Sequence, residues 1–335
     1  MRGYGELEPD PGRRRTDETR VISVENSRID GPLIHVSLPY WGDDQYLGAI
    51  VPFLEQASAS RETAVMFAPL PKLDLVRNAL HPSTTGITFL DAVQVARNPA
   101  RIIPWARRLV DEQQGHPIRL VGDGIWPDRS GAEVREFVRH EALINVLFAD
   151  VNAIVLCAYD AAAAAGSLLT DVTRTHAHAM TDGGYGNNPG YVDTAAVLAE
   201  FSGLPAAPDT AELLQFSRPS DLYAIRRIVR DRATRFGLSP ERTHDLVLAV
   251  DEAASNTLAH TPADGTLRTW TDSLSFLCDI TDAGHMTMAD FAGRLSPPQT
   301  APRGRGIWMM HQLCDLVELD SRPTGTTVRL HMYLS

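Results

Sequence analysis

The sequence ERTHDLVLAVDEAASNTLAH at residues 241–260 decides the fold of the C-terminal half of this 335-residue chain. A serine and Pro240 stand before it as a helix cap and a first-turn proline, so a long helix is predicted. Apolar side chains cover most of this helix, as is typical of a buried one. Glu252, Asn256 and His260 interrupt them at intervals of four residues and form a polar stripe on one face. Because a buried carboxylate without a partner is costly, the stripe is expected to face a cleft, a metal or a ligand; a solvated face is the alternative.

Three short motifs follow this helix along the chain. Asp282 and Gly284 form an Asp-x-Gly turn after a predicted strand, which can place a carboxylate beside a closely approaching ligand. The sequence PRGRGI at 302–307 is a glycine-rich turn leading into a helix, and the backbone N–H groups of such a turn suit phosphate. It is not a Walker motif, because no GK[ST] follows. The sequence TGTT at 324–327 precedes the last predicted strand.

In this order and spacing, the stripe and the three motifs resemble the Bergerat fold of GHKL ATPases, over about 216–335. The branch they resemble is that of the anti-sigma-factor serine/threonine kinases. The resemblance implies an α+β two-layer sandwich that binds ATP and Mg²⁺, with Glu252 as the general base and Asn256 as the Mg²⁺ ligand. It also implies a wider set of nucleotide-binding residues, namely Asn256, His260, Asp282, Gly284, Arg303, Gly304, Gly306 and Thr326.

The proposed chemistry suits these residue types. Phosphoryl transfer needs charge neutralisation, alignment and a group that orients or deprotonates the acceptor hydroxyl. Mg²⁺ keeps several waters, so one Asn amide oxygen together with the phosphates suffices to hold it. Glu252, one helical turn from Asn256, is then expected to accept the proton of an incoming Ser or Thr.

One position departs from the family pattern. Met286 stands where the family often has the second glycine of Asp-x-Gly-x-Gly. This substitution is expected to affect the hinge of the lid and phosphotransfer. The lid segment that follows, 287–302, contains Pro297 and Pro298 and is expected to be stiffer than usual.

The N-terminal half shows a different pattern. Short β-rich runs alternate with longer helical stretches, which predicts βαβ units and a largely parallel sheet. The predicted strands are 33–36, 63–67, 86–90, 118–121 and 153–157, with helices near 44–59, 70–80, 99–114 and 131–149.

Three motifs in this half resemble the MEDS sensory domain, a degenerate RecA-like α/β module of bacterial regulators. They are Trp126-Pro127, the sequence RHEA at 139–142 and the sequence LCAYD at 156–160. The resemblance implies sensing of a small molecule. No phosphate-cradling loop follows the first strand, so nucleotide hydrolysis is not expected here.

Four residues of this half are candidates for a sensory pocket at strand ends, namely His35, His140, Cys157 and Tyr159. Packed core positions are an equally good interpretation. His140 with Glu141 also resembles the phosphoacceptor of sensor histidine kinases, but the Leu-Arg-x-Pro continuation is missing. A hydrogen bond from helix to sheet is the favoured role of His140.

Composition narrows the class of protein. There are 42 acidic and 31 basic residues, and a net charge of −11 argues against direct nucleic-acid binding. The three cysteines lie far apart without a CxxC pair, which argues against a disulfide framework and a cysteine-based zinc site. The sequence has no run of about 18 apolar residues and no signal peptide, so a cytoplasmic protein without membrane contact is predicted.

The predicted organisation is a disordered tail at 1–28, a sensory domain at 29–180, a Gly- and Pro-rich linker at 181–215 and an ATPase domain at 216–335. The leading hypothesis is a regulator that sequesters a sigma factor and phosphorylates an anti-sigma antagonist under control of the sensory domain. A sensor histidine kinase-like protein and an ATP-dependent binding module without phosphotransfer are the alternatives.

A basic helix is predicted at 220–236, with Ser220 as its cap and Gly237 at its end. Its inner face is apolar, and its remaining surface carries Arg226, Arg227, Arg230, Arg232 and Arg235. In the kinases that it resembles, this helix contributes to dimerisation and partner contact. The predicted role is docking of acidic protein segments or of a second copy of the chain, against a solvated face as the alternative.

Overall fold

The computed structural model describes residues 33–95, 98–124, 129–164, 167–181, 184–261, 263–297 and 304–334. The predicted tail at 1–28 lies outside these residues, as do Trp126, Pro127 and the candidate site residue Arg303. The described residues form two domains, each built on one β-sheet. No described helix is long and apolar enough to cross a membrane.

The N-terminal sheet is largely parallel, as predicted. Its strands are β1 (Ile34–Tyr40), β2 (Thr63–Ala68), β3 (Ile87–Asp91), β4 (Ile118–Gly122), β5 (Ala153–Asp160), β6 (His178–Thr181) and β7 (Gly184–Asn187). They follow the order β3-β2-β4-β5-β1-β6-β7, and only the edge pair β6–β7 of these strands is antiparallel.

Helices cover both faces of this sheet, as a parallel sheet requires. They are α1 (Asp43–Ser60), α2 (Leu70–Ala79), α3 (Ala92–Val95), α4 (Ile102–Glu112), α5 (Gly131–Leu147), α6 (Leu168–Arg174) and α7 (Thr194–Glu200). Helices α1 and α2 share an apolar core with one face of the sheet, and α4 and α5 share a core with the other. Ser130 and Glu133 form the capping box that starts α5.

The C-terminal domain is an α+β sandwich with an antiparallel sheet, which confirms the predicted fold class. Its elements are β8 (Glu212–Phe216), α8 (Asp221–Phe236), α9 (Pro240–His260), β9 (Gly265–Thr271), β10 (Ser275–Asp282), α10 (Gly306–Leu313), β11 (Leu316–Arg322) and β12 (Gly325–Tyr333). The strand order is β11-β12-β10-β9-β8. The three helices pack on one face of the sheet around a common apolar core.

The caps of the two long helices differ from each other. Ser239 caps α9, because its hydroxyl accepts from the backbone N–H of Arg242. The predicted cap of α8 is wrong, since the Ser220 side chain makes no capping hydrogen bond. The carboxylate of Asp221 instead accepts from the N–H groups of Ser217 and Arg218, and this fixes the turn that enters α8.

The segment 181–215, for which a linker was predicted, contains regular structure. Helix α7 is capped by Asp193 and packs against α5, where Val197 and Leu198 enter the core of the N-terminal domain. Strand β8 pairs with β9 and so belongs to the C-terminal sheet. The Gly and Pro content of the segment concealed these short elements.

The two domains contact each other through buried polar groups. The guanidinium of Arg101 donates to the carbonyls of His311, Gln312 and Cys314 at 2.6–3.0 Å, where α10 ends. Asn98 donates to two of the same carbonyls. Because the last carbonyls of a helix lack partners within it, these donors fasten the N-terminal domain to the end of α10.

Candidate functional site

A cleft of about 510 Å³ lies between α9, the end of β10 and α10. Its volume is within the usual range for a small-molecule site. Five of the predicted nucleotide-binding residues line it, namely Asn256, His260, Asp282, Gly284 and Thr326. The structure therefore brings together residues from α9, from the turn after β10 and from the start of β12.

Asp282 contributes a carboxylate to the cleft, and this carboxylate accepts three hydrogen bonds. Its Oδ1 accepts from the backbone N–H of Gly284 at 2.7 Å and from the hydroxyl of Thr261 at 3.1 Å. Its Oδ2 accepts from the hydroxyl of Thr257 at 2.7 Å. A Cβ atom at position 284 would lie only 2.8 Å from the Thr261 oxygen, so this turn needs glycine. The Asp-x-Gly motif thus holds its carboxylate in one orientation against the end of α9.

Thr326 ties this turn to the neighbouring hairpin. Its hydroxyl donates to the carbonyl of Gly284 at 2.9 Å and lies 2.7 Å from the hydroxyl of Ser321. The Ser321 hydroxyl also accepts from the backbone N–H of Met286 at 2.8 Å. The backbone of Met286, which stands where the family often has a second glycine, is therefore held by a hydrogen bond to a side chain of β11.

Sequence reasoning missed three hydroxyl groups of this site, those of Thr257, Thr261 and Ser321. Thr257 and Thr261 lie four residues apart on α9 and its C-terminal end, beside the polar stripe. Helical spacing could therefore have identified them. Ser321 lies on β11 and meets Thr326 only through strand pairing, which local spacing does not reveal.

The stripe on α9 faces the N-terminus of α10. A Cβ atom at Gly306 would collide with the carboxylate of Glu252 and would lie 3.0 Å from the amide nitrogen of Asn256. Glycine therefore permits the first turn of α10 to approach both side chains. Gly304 is exposed and has a φ of 87°, and His260 is exposed at the edge of the cleft. Glu252 and Asn256 thus lie against a helix N-terminus, whose N–H groups and dipole favour anions.

The sensory-pocket candidates lie on a covered sheet face and not at open strand ends. Cys157 and Tyr159 are two residues apart and both lie on the face of β5 that α5 covers. Ser37 pairs with Cys157, so His35, two residues before Ser37, lies on the same face of the sheet. His35, Cys157 and Tyr159 come together with two residues that the sequence did not select, Glu141 and His176. Burial lowers the pKa of His35 to about 4.

His140 stands apart from this group. It is 1% exposed, and its Nδ1 makes no hydrogen bond within the described residues, so this nitrogen does not form the predicted bond from helix to sheet. Burial lowers its pKa to about 4. It borders an apolar cavity of about 20 Å³ beside Glu141 and Cys157, which has room for about one water molecule. A side chain buried in this way is not accessible as a phosphoacceptor.

The fold and the cleft define a two-domain protein in which an α/β domain is joined to a domain of the histidine kinase-like ATPase class. Residues 34–177 match the family model of MEDS, the methanogen/methylotroph DcmR sensory domain. Residues 216–332 match the family model of the histidine kinase-like ATPase domain. The chain is therefore a fusion of a MEDS domain with a GHKL-type ATPase domain, and both resemblances are confirmed at this level.

The chain was also compared with individual proteins. Among solved structures it is similar to the RsbU and RsbW domains of Rv1364c from Mycobacterium tuberculosis, with 17% sequence identity and a TM-score of 0.27. This match covers 36% of the present chain and 32% of that chain, so it spans about a third of that protein. No curated protein matches the chain.

Proposed function

We propose that this protein is an anti-sigma regulator whose C-terminal domain transfers phosphate from ATP to a Ser or Thr of an anti-sigma antagonist, and also sequesters the sigma factor. The observation that carries the proposal is the convergence of Asp282, Asn256 and the N-terminus of α10 on one cleft of nucleotide size. This supports a nucleotide site, since Asp282 and Asn256 line the cleft together with Ile307 of the first turn of α10.

Asp282 is proposed to read the adenine ring. Its two oxygens accept three hydrogen bonds from Gly284, Thr257 and Thr261. An ionised carboxylate offers about four acceptor positions, which leaves one for the exocyclic amine of adenine. The three bonds restrict the rotation of the side chain, so little entropy remains to be lost on binding.

Glu252 and Asn256 are proposed to divide the phosphate chemistry between them. The Asn256 amide oxygen would hold Mg²⁺, which neutralises charge on the phosphates when bound. Glu252 would accept the proton of the Ser or Thr hydroxyl as that oxygen bonds to the γ-phosphorus. The bond from the γ-phosphorus to the bridging oxygen breaks, and ADP carries away the electron pair. Gly304, Gly306 and Arg303 would border the phosphates.

Control by the MEDS domain is supported by its contacts with the segment after Met286, which corresponds to the lid. Arg294 of this segment is 4% exposed and pairs with Glu136 on α5. Asp290 of the same segment pairs with Arg139 on α5 at 2.6 Å. Lids must move as nucleotide enters and leaves. A helix that forms ion pairs with the lid can therefore change the rate of nucleotide exchange or the affinity for nucleotide. A small ligand of the MEDS domain would act through α5.

The test is phosphate transfer by the full chain with γ-labelled ATP, Mg²⁺ and candidate antagonists that co-purify from the native host. Acid-stable phosphate on the antagonist, lost in Glu252→Gln, supports the proposal. Acid-labile phosphate on the chain itself would favour a histidine kinase, although the burial of His140 argues against it. ATP binding without any transfer would favour a binding module.

A further inference from the structure

Four buried side chains of the MEDS domain direct atoms that can ligate a metal ion toward one another. They are His35 on β1, Glu141 on α5, Cys157 on β5 and His176 after α6, and their ligand atoms all lie within 4.8 Å of one another. The Nε2 atoms of His35 and His176 lie 3.2 and 3.5 Å from Glu141 Oε2. Cys157 Sγ lies 3.4 Å from both His35 Nε2 and Glu141 Oε2.

The outer nitrogens of both histidines are occupied by hydrogen-bond acceptors. His35 Nδ1 lies 3.1 Å from the amide oxygen of Asn145, whose amide nitrogen donates to the Thr175 carbonyl. His176 Nδ1 lies 2.7 Å from the carbonyl of Val172, which can only accept. Donation to these acceptors puts a ring proton of each histidine on Nδ1, and in that tautomer Nε2 directs a lone pair inward.

The centre of the cluster is consequently rich in electron pairs and poor in protons. Two imidazole nitrogens and a carboxylate converge, and the donors facing them are the Cys157 thiol and the Tyr159 hydroxyl, which lies 3.3 Å from His176 Nε2. With the ring proton on Nδ1, the contact between His35 Nε2 and Glu141 Oε2 joins two acceptors. Acceptors that face one another in a buried place repel unless a cation lies between them.

We propose that His35, Glu141, Cys157 and His176 form a binding site for a divalent transition metal ion, with Zn²⁺ as the best match. A tetrahedral Zn²⁺ with bonds of about 2.0–2.3 Å requires ligand atoms about 3.3–3.8 Å apart. Four of the six distances between the ligand atoms, at 3.2–3.5 Å, are close to that range. The other two, which both involve His176, are at most 4.8 Å, so a small shift of this ring would complete the tetrahedron. The imidazole and thiolate ligands select a transition metal over Mg²⁺ or Ca²⁺. Binding would displace the proton of the Cys157 thiol to solvent.

The surroundings have the features of a built metal site. Asn145 and the Val172 carbonyl orient the two imidazoles, as outer acceptors do around zinc-bound histidines. Four protein ligands close the coordination shell, as in structural zinc sites. The absence of a CxxC pair argued against a cysteine-based site, but only one of these ligands is a cysteine, and the four come from distant parts of the chain.

The test uses Co²⁺, a spectroscopic substitute for Zn²⁺, titrated into metal-free full-length protein without nucleotide. We expect one equivalent to bind with a thiolate-to-cobalt charge-transfer band, and Zn²⁺ to displace it. Cys157→Ala should abolish the band, whereas the matched control Cys278→Ala, a buried cysteine of the other domain, should retain it. The readout needs neither ATP nor a partner, so it is independent of the proposed kinase activity.

Two further variants keep the test decisive if Cys157→Ala fails to fold. Asn145→Ala leaves every ligand in place and should weaken metal affinity about 10–100-fold, as is usual for the loss of an orienting partner. His176→Gln keeps the Cys157 thiolate but removes one ligand, so it should weaken metal affinity further. Failure of the wild-type chain to bind Co²⁺ or Zn²⁺ would overturn the proposal and leave a proton-sharing hydrogen-bond network. Retention of the band in Cys157→Ala would also overturn it.

Discussion

The central helices of the two domains, α5 and α9, both carry polar residues in a largely apolar sequence, but they use them differently. On α9, Glu252 and Asn256 are partly exposed and His260 is exposed, and Asn256 and His260 line an open cleft. On α5, every residue from 136 to 144 is buried, including Glu136, Arg139 and Glu141. A polar interruption in an apolar helix therefore indicates a function without saying which kind. The layer packed over the helix decides whether it faces a ligand or other protein groups.

The sharpest test of the α9 half of this comparison separates binding from chemistry. Glu252→Gln should keep ATP affinity within a few-fold and slow phosphate transfer by roughly 10²–10⁴, the usual contribution of a positioned base. Asn256→Ala should instead lose the Mg²⁺-dependent part of ATP binding. Calorimetry with and without Mg²⁺, together with single-turnover transfer, measures both effects. Identical behaviour of the two variants would mean that the stripe has no division of roles.

The next effect concerns the carboxylate opposite α9. Asp282→Asn should weaken ATP binding by about 1.5–3 kcal/mol, because a charge-assisted hydrogen bond to adenine is lost. Asp264→Asn is the matched control, since Asp264 is an exposed carboxylate of the same domain outside the cleft. Unchanged ATP affinity in a folded Asp282→Asn protein would place the adenine elsewhere.

The outer surface of the ATPase domain provides the third test. Arg226 and Arg232 of α8 pair with Asp251 and Glu212, whereas Arg227 and Arg230 are exposed and make no ion pair within the described residues. Charge reversal at Arg227 and Arg230 is predicted to abolish partner binding or to split a dimer, while ATP binding survives, because arginine binds carboxylates in bidentate fashion. Sedimentation and partner titration check this. Values equal to wild type would support a solvated face.

The smallest effect tests whether the buried side of α5 influences the cleft. Arg139→Gln removes the ion pair with Asp290 of the lid and a longer contact with Glu136 on α5. Because Asp290 is partly exposed, a change of only about two- to five-fold in ATP affinity or release rate is expected. The matched control is Arg135→Gln, also on α5, which pairs with Glu318 on β11 and not with the lid. Stopped-flow release of a fluorescent ATP analogue is the measurement. Equal release rates in both variants would mean that the contact between α5 and the lid does not influence the nucleotide cleft beside α9.

Much of this arrangement could be predicted from the sequence. Helix α10 follows the glycine-rich turn that was predicted to lead into a helix, and α9 begins at the proline that marked its first turn. The family motifs also selected residues that do line the cleft. Asp282 and Asn256 are examples: helical spacing and a turn motif selected them, and the resemblance gave each of them an expected role.

Other features were beyond the sequence for identifiable reasons. Short elements such as α7 were hidden by a Gly- and Pro-rich composition, and α7 is ordered because Val197 and Leu198 bury against α5. Glu141 was read only as part of a family motif, and His176 was not selected at all. Their significance depends on strands and helices that are distant in sequence.

The sequence by itself determined the longer elements, the two domain classes and the alignment of polar residues along one face of α9. Periodicity, caps and glycine turns act over a few residues, so they can be read locally. Only the tertiary structure decided which polar groups meet. The pairing of Arg294 with Glu136 and the meeting of His35 with His176 arise when separate elements pack together. Burial gives these pairings their importance, because a polar group that is removed from water costs free energy unless it has a partner within the protein.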